Sequence, residues 1–252
     1  ADLLLRELDR RQPGVTVIGG MASGGVETGE SRLFLGDRVV SSGGVGARLP
    51  AAVEVRSLVS QGCRPVGSSY MVTKAQGNVI AELAGRPPLE RIREVYVSLS
   101  AEEQSLMTEG LHIGRVIDEY RADFGPGDFL VRGVIGADQE TGAIAVGDVV
   151  GVGETIQFHV RDAASADEEL RKMLLAVGNR PPAGALLFTC NGRGTRLFPV
   201  PHHDASLVSR EFGDPPLAGF FCAGELGPVG GRNFLHGFTA SLALFYEERR
   251  PA

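Results

Sequence analysis

Gly219–Phe245, GFFCAGELGPVGGRNFLHGFTASLALF, is the stretch that decides how this chain is read. Two apolar, strand-like segments bracket a Gly/Pro-rich loop that carries one acid, Glu225, and one imidazole, His236, at its edges. Glycine and proline suffice to set a turn, so a carboxylate where one apolar run ends and a histidine where the next begins mark ligand contacts. Upstream, LLFTCNGRG (Leu186 to Gly194) has the same design, a buried strand ending in a glycine-hinged polar tip. Two such tips, contributed by distant stretches, predict one shared pocket.

Working outward, the apolar pattern alternates between short strands and helices. Val15 to Ile18 reads as a buried strand broken at Gly19-Gly20. Leu33-Phe34 and Val39-Val40 flank a hairpin turn at Gly36-Asp37, Val53 to Ser60 reads as a strand, and Tyr70 to Thr73 pairs with Val79 to Leu83 across Gln76-Gly77-Asn78. Pro87-Pro88 opens a helix through Ile92, Val95 and Tyr96, and Ala101 to Gly110 forms a second. Phe129 to Val134, Ala143 to Val146 and Thr155 to Val160 read as a meander of successive antiparallel strands. Ser165 to Glu168 spells a capping box ahead of the apolar face Leu170, Met173, Leu174 and Val177, a face that must lie on a sheet. Asp204 is placed to cap a further helix, ended by Gly213. Most strands are joined by turns too short for parallel crossovers, which predicts a layered α+β fold with largely antiparallel or mixed sheets flanked by helices.

The motifs FTCNGRG (Phe188 to Gly194), AGFFCAGELGPVGG (Ala218 to Gly231) and FLHGFTASLALF (Phe234 to Phe245) resemble the C-terminal half of the FIST domain, a sensory module of bacterial signalling proteins that also occurs in a eukaryotic F-box protein. VIGGMASGG (Val17 to Gly25), GSSYMVTKAQGNVIAEL (Gly67 to Leu83), FLVRGVIG (Phe129 to Gly136) and QFHVRDAASADEEL (Gln157 to Leu170) are similar to the later part of its N-terminal half and the junction. The resemblance runs in order along nearly the whole chain. It implies residues 1–160 as the C-terminal part of the N-like region and 161–252 as the C-like region. It also implies a receptor for amino acids or similar small molecules that passes a conformational change to a signalling partner. The first part of the N-terminal half is expected to be missing, because the chain opens directly on an amphipathic helix at Leu3 to Leu8 closed by Pro13-Gly14.

Composition narrows the classes. With 25 basic against 31 acidic residues the net charge is -6, which disfavours an electrostatic nucleic-acid binder. Hydrophobic content of 43% supports a large core, and 35 glycines fit many strands joined by short turns. Three cysteines without paired spacing argue against a disulfide scaffold and for a reducing compartment. With neither a signal peptide nor a spanning apolar run, a cytoplasmic location without membrane contact is expected.

The polar tips supply the candidate ligand-binding residues Cys190, Asn191, Arg193, Glu225 and His236, with Arg161 and Arg132 as further candidates. Glycines on either side of Arg193 expose backbone amides, and a guanidinium binds a carboxylate in two-pronged fashion; alternatively Arg193 pairs with a structural acid such as Asp162. Glu225 would complement a ligand ammonium and His236 would donate or accept at its other end, unless the carboxylate ties down the Gly227-Pro228 turn and the imidazole is an interior hydrogen-bonding group. Arg132 interrupts an apolar strand and Arg161 ends one, so each either faces the pocket or belongs to an ion pair. No cofactor is expected. Gly19 to Gly25 matches neither nucleotide-binding glycine pattern, and His202-His203-Asp204 is a poor metal set, because adjacent histidines on a strand point to opposite sides. Two competing readings remain: a protein-interaction scaffold, and a hydrolase with Cys190 as nucleophile, which would need a depressed thiol pKa and a base within reach.

Overall fold

The computed structural model describes residues 1–247 apart from positions 26, 28, 51, 122 and 126. Residues Gln61–Glu169 form one compact unit, and the described remainder forms the other. The outer unit opens with α1 (Asp2–Arg11), β1 (Gly19–Gly20), the hairpin β2 (Leu33–Leu35) and β3 (Arg38–Val40), and β4 (Glu54–Ser60). The inserted unit follows with β5 (Cys63–Gln76), β6 (Val79–Leu83), α2 (Pro88–Ser98), α3 (Ala101–Glu109), β7 (His112–Val116), β8 (Phe129–Ala137), β9 (Ile144–Val146) and β10 (Thr155–Arg161). Helix α4 (Ala163–Val177) leads back to β11 (Gly184–Cys190), a 3₁₀ turn (Gly194–Arg196), α5 (His203–Phe212), β12 (Leu217–Cys222), β13 (Glu225–Val229), β14 (Arg232–His236) and β15 (Ala240–Tyr246). The class is α+β, as the alternation of short strands and helices predicts.

The inserted unit is a closed barrel in the order β10-β5-β6-β9-β8-β7. Val72, Ile80, Leu83, Ile113, Ile144, Val146, Ile156 and Phe158 fill it, each fully or almost fully removed from water and each contributing about 1.5–3 kcal/mol. Val95 of α2 and Met107 of α3 join this core. The expected meander is corrected here. Strands β8 and β9 do pair, but β6 takes the other side of the three-residue β9, so β10 closes the barrel between β5 and β7. A register shift opposite Gln157 and Phe158 leaves Gly67 at φ +65 in β5, where a Cβ would lie 2.6 Å from Val95. Helix α2 therefore seats on the barrel only over a glycine.

The outer unit has a four-stranded sheet, β12-β11-β15-β4, with β11 and β12 parallel and the other pairs antiparallel. The parallel pair is possible because α5 occupies the connection between its strands. Leu170, Leu174, Leu207, Val208 and Phe212 pack with Ala185, Leu187, Leu242 and Leu244, which is the sheet contact that the spacing of apolar residues in α4 demands. A second sheet, β1-β13-β14, includes the hairpin whose turn Gly230-Gly231 has both glycines at positive φ (56° and 77°), the geometry that keeps a two-residue turn in step with strand twist.

Three local expectations are corrected. Val15 to Ile18 forms no strand: the amide of Val17 donates to Asn233 Oδ1 at 2.8 Å, and the pairing falls to Gly19 and Gly20. Helix α4 starts before Ser165, whose amide donates to Asp162 Oδ1 at 2.7 Å, so Asp162 does the work assigned to the predicted box. A complete capping box instead opens α3, between Ser100 and Glu103. Asp204 is not a cap, since His202 holds that position and the Asp204 carboxylate is committed elsewhere. Among the described residues no helix is long and apolar enough to cross a membrane.

Candidate functional site

The Gly/Pro loop of Gly219–Phe245 is itself a hairpin. Its two polar residues are register partners, Glu225 on β13 opposite His236 on β14, with Gly20 of β1 on the far side of Glu225. Both side chains are buried, Glu225 at 0% and His236 at 4% exposure. The Glu225 Oε2 accepts from the Thr239 hydroxyl at 2.8 Å and from the Thr239 amide at 3.2 Å, while Oε1 has no hydrogen-bond partner. Burial pushes this carboxyl up to about 7, against the opposing pull of the Thr239 bonds, the Arg193 charge and the facing Cys190 thiol. His236 Nε2 donates to the Gly227 carbonyl at 3.0 Å, so its imidazole serves the hairpin itself.

The second tip lies at the same place. The Cys190 amide donates to the Thr239 carbonyl and the Asn191 amide to the Cys222 carbonyl, both at 2.9 Å, which ties the end of β11 to the start of β15 and the end of β12. Gly194 follows at φ +59, where a Cβ would meet the Phe221 ring at 3.0 Å. The Cys190 thiol faces the Glu225 carboxyl and the Arg193 charge acts on it, while Asn191 follows Cys190 just past the end of β11.

Arg193 is almost completely buried and donates through Nε and Nη2 to the two carboxylate oxygens of Asp204, each at 2.8 Å. The acid it holds is thus Asp204 rather than Asp162, which pairs with Arg64. Burial would raise the Asp204 pKa, but its bonds from Arg193 and His203 hold it at about 2. His203 Nδ1 lies 3.1 Å from Asp204 Oδ1, and its ring stacks on Phe198 at 3.5 Å, with the Arg193 guanidinium 5.3 Å from the same phenyl ring. His203 opens a helix rather than lying on a strand, and among the described residues no cluster of three or more His, Cys, Asp or Glu is spaced to hold a metal ion.

Two non-glycine residues beside this cluster adopt left-handed backbone, Phe238 (φ 66) just before Thr239 and His202 (φ 58) just before His203. Each costs on the order of 1 kcal/mol or more and persists only where surrounding contacts enforce it, as at binding sites. Sequence reasoning missed Thr239 and the Asp204–His203–Phe198 set. The signal for the first was its place right after Gly237-Phe238, a dipeptide that interrupts two strands.

The two remaining candidates belong to the inserted unit. Arg132 pairs with Asp148 at 3.2 Å. Arg161 ends β10 opposite Cys63 and electrostatically disfavours protonation of His112.

The sequence matches the FIST N domain over residues 1–86 and the FIST C domain over residues 88–228. The chain belongs to the FIST family. Domains of this family are sensory modules that bind small ligands in signal transduction. An uncharacterized protein of Mycobacterium tuberculosis H37Rv, Rv0628c, is 55% identical over 250 residues, and an uncharacterized protein of Mycobacterium bovis, Mb0898c, is 53% identical over 251. Each alignment covers 98% of this FIST chain and 65% of the relative. The chain thus spans just under two thirds of the length of the curated relatives it matches.

Proposed function

We propose that this FIST chain is the ligand-recognising part of a sensory protein, that its ligand carries an ammonium group as amino acids do, and that Glu225 receives that group. One observation carries the reading: a carboxyl removed from water has one oxygen held by Thr239 and the other outside hydrogen-bond geometry, with the Cys190 thiol facing the carboxyl. A buried polar atom left unsatisfied costs about 1–3 kcal/mol, a debt that a ligand donor cancels. The backbone amides of the Cys190–Arg193 tip are spent within the fold, so the Asn191 side chain supplies the complementary donor. Arg193 acts mainly by setting the field, since two of its donors are committed to Asp204. A signalling partner would read the resulting movement of the hairpin.

Calorimetry of the purified protein against the twenty amino acids tests this. Glu225→Gln should weaken the best binder by roughly 10- to 100-fold, the worth of a charged hydrogen bond. Undiminished affinity in that variant would remove Glu225 from the site.

A second reading has its own support. Phe220 and Phe221 are each 47% exposed on β12, which is an edge strand of its sheet, and an apolar edge favours protein contact. Loss of a pulled-down partner on Phe220→Ser, with amino-acid binding intact, would mark a scaffold role.

A further inference from the structure

Cys190 and Cys222 are direct register partners on the parallel strands β11 and β12. Register partners on neighbouring strands point to the same face and lie about 4.8 Å apart along the hydrogen-bonding direction, inside the window of about 4.4–6.8 Å between Cα atoms that a disulfide spans. Both are carried as thiols. Cys190 is 9% exposed and Cys222 is 0% exposed, roofed by Gly20, where a Cβ would fall 2.0 Å from the Cys222 sulfur. The carboxyl of Glu225 acts on both: it faces the Cys190 thiol, and its charge helps push the Cys222 thiol up to about 12, though burial is the larger cause. Cys222 donates its S–H to the Phe220 carbonyl at 3.4 Å, while the Cys190 sulfur accepts from the Gly192 amide at 3.4 Å, a contact that favours thiolate.

We infer that Cys190 and Cys222 form a reversible redox couple, with Cys190 the attacking thiol, Cys222 the resolving thiol and Glu225 the proton acceptor, and that hydroperoxides oxidise it. Glu225 takes the proton from Cys190. The thiolate sulfur attacks the terminal peroxide oxygen, an S–O bond forms, the O–O bond breaks, and hydroxide or alkoxide leaves with a proton as water or alcohol. Cys222 then attacks the Cys190 sulfenic acid, the S–S bond forms, the S–O bond breaks, and the departing hydroxide takes the Cys222 proton as water. Two thiols lose two hydrogens, and one hydrogen peroxide becomes two waters. Strands spaced as in a sheet hold Cβ atoms wider than a relaxed disulfide prefers, so the bond draws β12 toward β11 and stays easily reduced. Only Ala223 and Gly224 separate Cys222 from Glu225, and the closing of the bridge is thereby passed to the hairpin. This inference is independent of which ligand, if any, Glu225 receives.

The test treats the reduced full chain with stoichiometric hydrogen peroxide, then digests it without reductant. A Cys190–Cys222 cross-linked peptide lighter by two hydrogens is expected, with Cys63 still titratable and the bridge reversed by dithiothreitol. In Cys222→Ser, dimedone should trap a sulfenic acid on Cys190. Glu225→Gln should slow oxidation by about 100-fold and flatten its pH profile, a readout that mere loss of packing does not produce. Circular dichroism keeps the fold in view for each variant. Both residues recovered as thiols, or a bridge that uses Cys63 instead, would overturn the inference.

Discussion

Glu225 and His236 face each other across a two-stranded hairpin, yet neither side chain satisfies the other: the carboxyl turns to Thr239 and the imidazole to the Gly227 carbonyl. The pairing therefore positions an acid without neutralising it. An acid left without a counterion in a dry place is a proton-binding group near neutral pH.

That yields a stability signature. The Glu225 pKa rises from 4.5 to about 7 on folding, so between these values the native state binds more protons than the unfolded state and stability falls as pH rises. The full penalty reaches about 3 kcal/mol at about 1.4 kcal/mol per tenfold. Urea unfolding at intervals from pH 4.5 to 8 should show this decline in the parent chain and a flatter curve in Glu225→Gln. Parallel curves would refute it.

The Arg193–Asp204 pair should behave oppositely to a surface salt bridge. Arg193→Ala leaves a buried carboxylate uncompensated and should cost about 3–5 kcal/mol, whereas replacing both partners, Arg193→Met with Asp204→Leu, should cost much less. Chemical denaturation of the two variants decides, and additive losses would count against a desolvated pair.

Acid should open the barrel of the inserted unit. His112 and His159 are register partners, and burial pulls each down to about 4. The unfolded chain binds protons at 6.5 and the folded one only near 4, so this stability is present above about pH 6.5 and lost as pH falls through that window. His159 packs edge-on against Phe129 at 4.8 Å, which makes His159→Phe the natural replacement. Its acid unfolding midpoint, followed by circular dichroism, should move to lower pH.

Close packing under the hairpin is testable with one methyl group. A Cβ at Gly227 would lie 2.4 Å from Val59 Cγ2 and 2.8 Å from Ser241 Oγ, so Gly227→Ala should destabilise by about 1–3 kcal/mol. Val59→Ala in the same chain should recover part of the loss, as seen in thermal melts.

Much of the fold was legible because its rules are local. The Gly36-Asp37 and Gln76-Gly77-Asn78 turns, the Pro87-Pro88 helix start and the apolar face of α4 each follow from a few adjacent residues, and each stands in the structure. Barrel closure was not legible. It depends on β6 claiming β9 and on β10 finding β5 about a hundred residues away, and pairing preference at that distance leaves no short-range mark. At the candidate site, residue types pointed to Cys190, Arg193 and Glu225, but the partners Asp204 and Thr239 lie 11 and 14 residues from the groups they hold. The choice of Asp162 as a partner for Arg193 failed because Arg64 and Ser165 already satisfy that acid.

The pairing of β4 with β15 has one more consequence. Strand β4 ends at Ser60, and the strand that completes it begins at Ala240, with the entire barrel encoded between. At ribosomal speeds of about 5–20 residues per second, β4 emerges on the order of ten seconds or more before its mate exists. The nascent chain thus carries β4 without its hydrogen-bonding mate after every barrel strand has been made, and for that period its backbone amides and carbonyls are open to pairing with other strands.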